Sequence, residues 1–512
     1  MITGRAVLLA LALAVAPGLT ARASAQEPAA PALPGSPSLA ADHWAVRAAA
    51  RAEAMGLVAR YLPAQRSVPL AAVAAALMEA AARAPGERPE EAPLTQGWWD
   101  RFAEEFPGVA ARLRGEGSPV VLGGAAGAGY RAETGRVEAG AGLFQRRSGP
   151  TALPDDRGAA LDASVSLLPA RFLGVSAAPG VGPERPERGR WDVTLGWRSL
   201  ALSVGEQPVG YTAGLSGGVI LSGTTRMPRV EVQTVRPVSL PGVLRHLGPV
   251  SFHTFGTRFS EERQPGDPWL WGMRAAVRPH PRLTVAVNRA SIFGGDSIST
   301  PVTAANLARM LIGTLSLDFE NQLVSTDFRF RLPTERVLPL TAYLEWGAED
   351  AAGAWWDVPG TVLGVLLPAL PRLPQVALGA EWTRLPPECC GNPPWYLHTA
   401  FPGGWTWEGR PLGHALGGEG EELLVYGSGD FLDARLRVDA RAFARERGDR
   451  GYRPPRWSGN LYAPDRAGTS FGGDVSAAWR LAPRSDLRLS LQRESGDGWT
   501  RQGFEAAVSF LF

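Results

Sequence analysis

Residues 487–512 open as Leu487-Arg488-Leu489-Ser490-Leu491-Gln492, turn through Ser495-Gly496-Asp497-Gly498, and close as Phe504-Glu505-Ala506-Ala507-Val508-Ser509-Phe510-Leu511-Phe512. In both halves apolar side chains recur at every second position. That is the period of a β-strand, whose side chains point alternately to opposite faces, and the Gly-rich turn makes the pair a hairpin. A hairpin that ends the chain on Phe512 is what outer-membrane barrels present to the barrel-assembly machinery.

The alternation extends upstream. Leu436, Val438, Ala440 and Ala442 oppose Arg435, Arg437, Asp439 and Arg441; Val475, Ala477, Trp479 and Leu481 oppose Asp474, Ser476 and Arg480. Phe328, Phe330 and Leu332 oppose Asp327, Arg329 and Arg331, Leu283, Val285 and Val287 oppose Thr284 and Asn288, and Trp191, Val193, Leu195 and Trp197 oppose Asp192, Thr194 and Arg198. A soluble sandwich would hide the apolar face in a core. A transmembrane barrel turns that face to lipid and its charges inward. The terminal Phe strand, the lack of long apolar runs, the Trp and Phe near strand ends and the N-terminal leader favour the barrel. At about 22 residues per strand and turn, the chain after Val120 supplies about 16 to 18 strands.

The leader combines Arg5, an apolar run from Ala6 to Ala16 and the small-residue site Ala23-Ser24-Ala25. It reads as a signal peptide over residues 1–25, since Pro17-Gly18 breaks the run well short of a span. A Pro/Ala linker over 26–39 leads to a helical head over 40–117. There Asp42 is the expected cap of a helix ending at Gly56, Pro69 starts a second that Pro85-Gly86 should stop, and a third follows Thr95. The head is expected on the periplasmic side as a candidate lumen plug, with the barrel occupying 118–512.

Composition narrows the function. The 512 residues carry a net charge of only +2, every basic residue is Arg, and 61 Gly with 44 Pro suit a chain of many turns. No strong basic field exists to bind nucleic acid. Cys389 and Cys390 are the whole thiol inventory, too few for a disulfide scaffold. The six histidines lack ligand spacing, so neither metal nor cofactor is expected. Gly214-Leu215-Ser216-Gly217-Gly218 matches the nucleophile-elbow pattern, and Gly127-Ala128-Gly129 invites a dinucleotide reading. Neither is followed by a helix, so both read as strand or loop and no enzyme is expected. What remains is binding: aromatic faces stack on sugar rings, and guanidinium forks grip carboxylates and hydroxyls.

Several motifs occur in a fixed order. Asp42-His43-Trp44 runs through Met55-Gly56-Leu57 to Val68-Pro69-Leu70; Asn288-Arg289-Ala290-Ser291-Ile292 ends in Phe293-Gly294-Gly295; Asn321-Gln322 leads to Asp327-Phe328-Arg329-Phe330-Arg331-Leu332-Pro333, then Tyr343 and Glu349-Asp350; and Gly404-Trp405-Thr406-Trp407-Glu408-Gly409-Arg410 reaches Gly413-His414. In this order they resemble the capsule assembly Wzi family, outer-membrane barrels with a small periplasmic helical bundle that take part in anchoring capsular polysaccharide. Trp407 stands where Tyr is usual, and Ser222 to Pro228 keeps only the frame of a family segment. The Asp42-His43-Trp44 head also looks faintly like a single S-layer homology module, the weaker explanation.

The resemblance implies an outer-membrane, monomeric protein that meets outer-membrane lipids and a capsular or exopolysaccharide. Asn288, Arg289, Asp327, Arg329, Arg331, Trp405, Trp407, Arg410 and His414 are the candidate ligand residues. A porin-like channel for small solutes is the alternative, and a hydrolase using Ser216 the third.

Overall fold

The computed structural model describes residues 33–39, 43–62, 68–116, 121–134, 157–181, 190–260, 263–312, 319–334, 337–349, 358–387, 395–407, 410–448 and 467–511. The leader, Asp42, Cys389, Cys390 and Phe512 lie outside them, as does the side chain of Arg410.

Among the described residues eighteen antiparallel strands form one closed wall. They are β1 (Val121–Thr134), β2 (Arg157–Ala170), β3 (Leu173–Ala178), β4 (Arg190–Trp197), β5 (Leu200–Tyr211), β6 (Leu221–Thr234), β7 (Pro249–Arg258), β8 (Trp269–His280) and β9 (Leu283–Phe293). The wall continues with β10 (Glu320–Arg331), β11 (Thr341–Glu349), β12 (Gly360–Leu367), β13 (Val376–Leu385), β14 (Gly420–Phe431), β15 (Leu436–Arg447), β16 (Gly468–Ala482), β17 (Ser485–Gly496) and β18 (Trp499–Leu511). Each strand pairs with its sequence neighbour, and β18 pairs with β1 from Gln502↔Thr134 to Leu511↔Ala125. Closure leaves no unpaired edge.

The face assignments follow the sequence period. Leu161, Trp197, Leu423, Val475 and Leu491 are exposed on the outer wall, whereas Arg437, Asp439, Asp474, Asp327 and Thr194 are buried inside. Without a membrane the outer wall would be an apolar surface far larger than a soluble monomer carries; in lipid it is satisfied. The strand count falls at the top of the expected range.

Most connections at the end that holds the chain termini of the barrel, here the terminal end, are short, 235–248 being the longest; the opposite end is here the loop end. Helices α1 (Trp44–Ala54), α2 (Leu70–Glu87), α3 (Ala92–Glu105) and α4 (Pro107–Leu113) sit inside the terminal end. Their core is Trp98, Phe102, Leu77, Val73 and a set of buried alanines, and it includes Leu168, Ala369 and Ala434 of the barrel. Alanines let the helix axes approach closely, so a small bundle can fill the mouth without large side chains.

The helix boundaries differ from expectation in specific ways. His43 occupies the N-cap of α1, its ring accepting the Ala45 N–H. Helix α2 runs past Pro85-Gly86 to Glu87 because the proline falls in the last turn, where only one hydrogen bond is lost. Helix α3 starts at Ala92 with Pro93 in its first turn, and α4 begins at Pro107, a favoured first position. Gly56 does take the left-handed conformation, with φ +87°. A Cβ there would also press on the Arg331 guanidinium, which would have to shift, so the left-handed backbone is the stronger reason for glycine.

Buried ion pairs fix the bundle. Arg51 donates to Asp430 (2.8 Å) and to the carbonyls of Pro368 and Pro374 (both 2.6 Å). Arg278 donates to Glu53 (2.5 Å) and to the carbonyls of Ala59 and Tyr61, and Arg329 lies 3.3 Å from the other Glu53 oxygen. Arg480 reaches Glu105 at 3.1 Å, and Arg101 donates to the Ala434 carbonyl at 2.7 Å.

Burial alone would push the Glu105 carboxyl up, but His43, Arg480 and Arg101 around it hold it well below the usual value of 4.5. A depressed carboxylate stabilises the fold above its unfolded pKa and loses that contribution as pH falls through the folded value. Proteolytic nicking or hydrogen exchange of residues 43–116 is therefore expected to rise as pH drops below 4.5, and to rise far less in Glu105→Gln. An identical acid response in the two proteins would exclude Glu105 as the cause.

The loop end is closed differently. Residues 212–220, between β5 and β6, and the described part of 386–419, between β13 and β14, fold into the lumen. Trp395, Phe401 and Trp405 are fully buried there, packed with Val219 and Ile220 against the wall residues Leu270, Ala290, Ile292 and Leu323. Trp405 donates to the Ile220 carbonyl (2.7 Å), and Arg263 to the carbonyls of Gly404 and Thr406. A fifth helix, α5 (Ala304–Leu311), lies on the outside of the barrel, covering Trp271, Phe293 and Phe319. The sequence carries a Thr303 cap for it but too short an apolar stripe to be read as a helix.

Candidate functional site

The strands place a belt of polar side chains between the two plugs. On β8, β9 and β10 the inward parity brings Arg274, Asn288 and Asp327 together: Arg274 grips Asp327 with both terminal nitrogens (2.6 and 3.1 Å), while Asn288 donates to Asp327 (2.9 Å) and Ser325 (3.0 Å). Ser325 in turn donates to Glu345, which also accepts the Val219 N–H of the inserted loop. All are almost fully buried. Such a fork satisfies two lone-pair directions at once and fixes orientation. Arg274 carries no local motif, only its parity in β8, and the sequence reading missed it.

Beside it, Glu231 of β6 accepts from Arg229 (2.7 Å) and His253 (3.0 Å), and His253 meets the Tyr211 hydroxyl (2.7 Å). On β11 and β13, Tyr343 donates to Glu381 (2.8 Å), which also accepts the N–H groups of Leu215 and Ser216. The inserted loop is thus tied to the wall by carboxylates that receive its backbone donors.

Ser216 also faces His414 (Oγ to Nε2, 2.9 Å) and donates to Glu381. Nδ1 of His414 accepts the Leu416 N–H (3.2 Å), which assigns the ring proton to Nε2. The imidazole therefore donates toward the hydroxyl, whereas a serine nucleophile needs a ring nitrogen that accepts. Ser216, His414 and Glu381 together clamp the loop.

The other candidate residues are dispersed. Arg329 and Arg331 face the helical bundle, Arg331 donating to the Pro281 carbonyl (2.6 Å). Arg289 has the outward parity and caps α5, donating to the Met310 and Leu311 carbonyls. Trp405 and Trp407 are buried in the loop plug, Trp407 against Phe259 at 4.9 Å between centroids. Arg410 pairs through its backbone with Trp407. Among the described residues, only Asn288 and Asp327 of the candidates meet through their side chains.

Arg274→Ala would leave Asp327 charged and buried without its partner, a loss of about 3–5 kcal/mol. Urea titration of the detergent-solubilised barrel should read that loss; a change below about 0.5 kcal/mol would mean water replaces the guanidinium.

No curated protein matches the chain in sequence. Among solved structures it is similar to Wzi of Escherichia coli, an outer membrane protein involved in group 1 capsule assembly and a carbohydrate-binding β-barrel, at 18% identity and TM-score 0.70, covering 93% of this chain and 99% of that one. It also matches OpdO of Pseudomonas aeruginosa at 11% identity and TM-score 0.45, over 77% of this chain and 97% of that one. The family described as capsule assembly protein Wzi matches residues 193–500, from within β4 to within β18. That match spans well over half the sequence and the strands that build the polar belt, so the chain is an outer-membrane β-barrel belonging to the capsule assembly protein Wzi family.

Proposed function

We propose that this protein takes part in capsule or exopolysaccharide assembly by binding polysaccharide at the loop end, and does not conduct solutes. The observation that carries the reading is closure of the lumen at both ends, by the bundle and by the inserted loops. A filled barrel offers a ligand its rim. There Arg258 lies over Trp269 at 5.7 Å and pairs with Asp267 (3.0 Å), both charges half exposed. A guanidinium stacked on an indole presents the donors and apolar surface that a sugar polymer takes.

In this reading the bundle faces the periplasm, Phe512 is the signal to the barrel-assembly machinery, and the protein works as a monomer. The candidate residues Asn288, Asp327, Trp405, Trp407 and His414 act by holding the loop plug that shapes the rim, and Arg329 and Arg331 by holding the bundle at the other end.

Binding of acidic and neutral bacterial polysaccharides to detergent-purified protein, against an unrelated barrel as control, tests the proposal. Retention above control that falls at least fivefold in Arg258→Ala/Trp269→Ala is expected. No retention of any polysaccharide, or large steady openings in planar bilayers, would overturn it.

A further inference from the structure

A partly open cavity of about 200 Å³ lies between helix α1 and the lumen wall at the terminal end. It exists because the plug is lopsided. Among the described residues its ion pairs with the wall fall on β8, β10, β14, β15 and β16. Opposite, β1, β2, β3 and β18 offer the cavity mostly glycine, alanine and serine.

The chemistry inside is uneven in sign. The carboxylates of Glu105, Asp439 and Asp486 are each already bound to Arg480 or Arg437. Arg488, from β17, lines the cavity half-buried, and no hydrogen bond or ion pair is recorded for its guanidinium among the described residues. A cation held against a low-dielectric wall without a counter-charge favours an anionic ligand. Trp44 also lines the space, half-buried, its Nε1 fixed on Glu105 (2.7 Å) and one face under the Arg101 guanidinium (4.4 Å). Serines of the facing wall, Ser164, Ser166, Ser176 and Ser509 among them, add hydroxyls to the lining, and Arg47, paired with Asp439, lies at it too. A cavity of about 150 Å³ holds one benzene ring, so this one admits a single substituted six-membered ring.

We propose that the cavity binds one pyranose bearing a carboxylate, with Arg488 on the carboxylate, the Trp44 indole against the ring, and the serines on its hydroxyls. The site lies at the opposite end from the polysaccharide surface and does not rest on that reading. A free hexuronate and the terminal residue of an acidic glycan present the same chemistry.

Calorimetric titration of the full-length protein in detergent with glucuronate, glucose and a glucuronate-terminated oligosaccharide separates the cases. Glucuronate is expected to bind at least tenfold more tightly than glucose. Arg488→Gln should weaken it at least tenfold and Arg488→Lys by less, with both variants keeping the heat-modifiable mobility of a folded barrel. Oligosaccharide bound as tightly as the monosaccharide identifies a chain end, and its exclusion identifies the free sugar; both support the site. Equal affinity for glucose, no uronate binding, or unchanged binding in Arg488→Gln overturns the proposal. Uronate binding that survives Arg258→Ala/Trp269→Ala shows the two sites to be separate.

Discussion

Replacing Glu53 with alanine is expected to loosen the helical bundle from the barrel mouth at a cost of about 3–5 kcal/mol. Glu53 is 3% exposed and stands between two guanidinium groups, Arg278 at 2.5 Å and Arg329 at 3.3 Å. Its removal leaves both cations beside each other without a counter-charge, with the Val58, Ala59 and Tyr61 carbonyls and the Thr284 hydroxyl as the remaining acceptors of Arg278. The penalty is the desolvation of unpaired charge, larger than the net worth of the pair itself. Denaturant titration should show an early transition confined to the bundle, followed by unfolding of the barrel at its usual midpoint. Glu53→Leu combined with Arg278→Met and Arg329→Met should recover most of the loss, because it removes the charges together. A single unshifted transition in Glu53→Ala would mean that water already solvates these arginines.

The strand pattern was legible because the period of two is local. Arg437, Asp439 and Arg441 face the lumen as their alternation with Val438 and Ala440 requires, and the terminal hairpin pairs Leu487↔Val508 and Leu489↔Ala506. What the period does not carry is partnership across the barrel. Arg51 meets Asp430 across 379 residues and Ser216 meets Glu381 across 165; no spacing encodes such contacts. Asn288 and Asp327 met because each sits inside a motif and both share the inward parity. Arg289 sits one residue further along, and one residue in a strand reverses the face. Its motif alone makes it a candidate ligand residue, and its side chain braces α5 outside the barrel. Ser216 matches a catalytic pattern without its context, as the missing helix indicates: its Gly-rich surroundings serve a tight loop that passes beneath Tyr211 and Leu221, since a Cβ at residue 218 would lie 2.6 Å from the Tyr211 carbonyl.

Opening this barrel should require removal of both plugs, and the effect should be strongly non-additive. Deleting residues 43–116 leaves Trp395, Trp405, Val219 and Ile220 packed across the lumen and tied to Glu345, Glu381 and Glu349 of the wall. Those contacts involve no residue of the bundle, so they persist and the bilayer current stays near that of the intact protein. Replacing residues 212–220 and 395–407 by short Gly/Ser linkers removes the loop plug but leaves the bundle held by Arg51, Arg278 and Arg480, whose partners lie at the far end. That variant should be nearly silent too. Only the double variant has a continuous water path, lined by the arginines and carboxylates of the polar belt, and it should show steady openings of the size expected for an 18-strand barrel. If deletion of the bundle alone gives such openings, the inserted loops are a gate that yields to water. The barrel would then be closed by one plug, and the argument from closure at both ends to a polysaccharide-binding rim would fail with it.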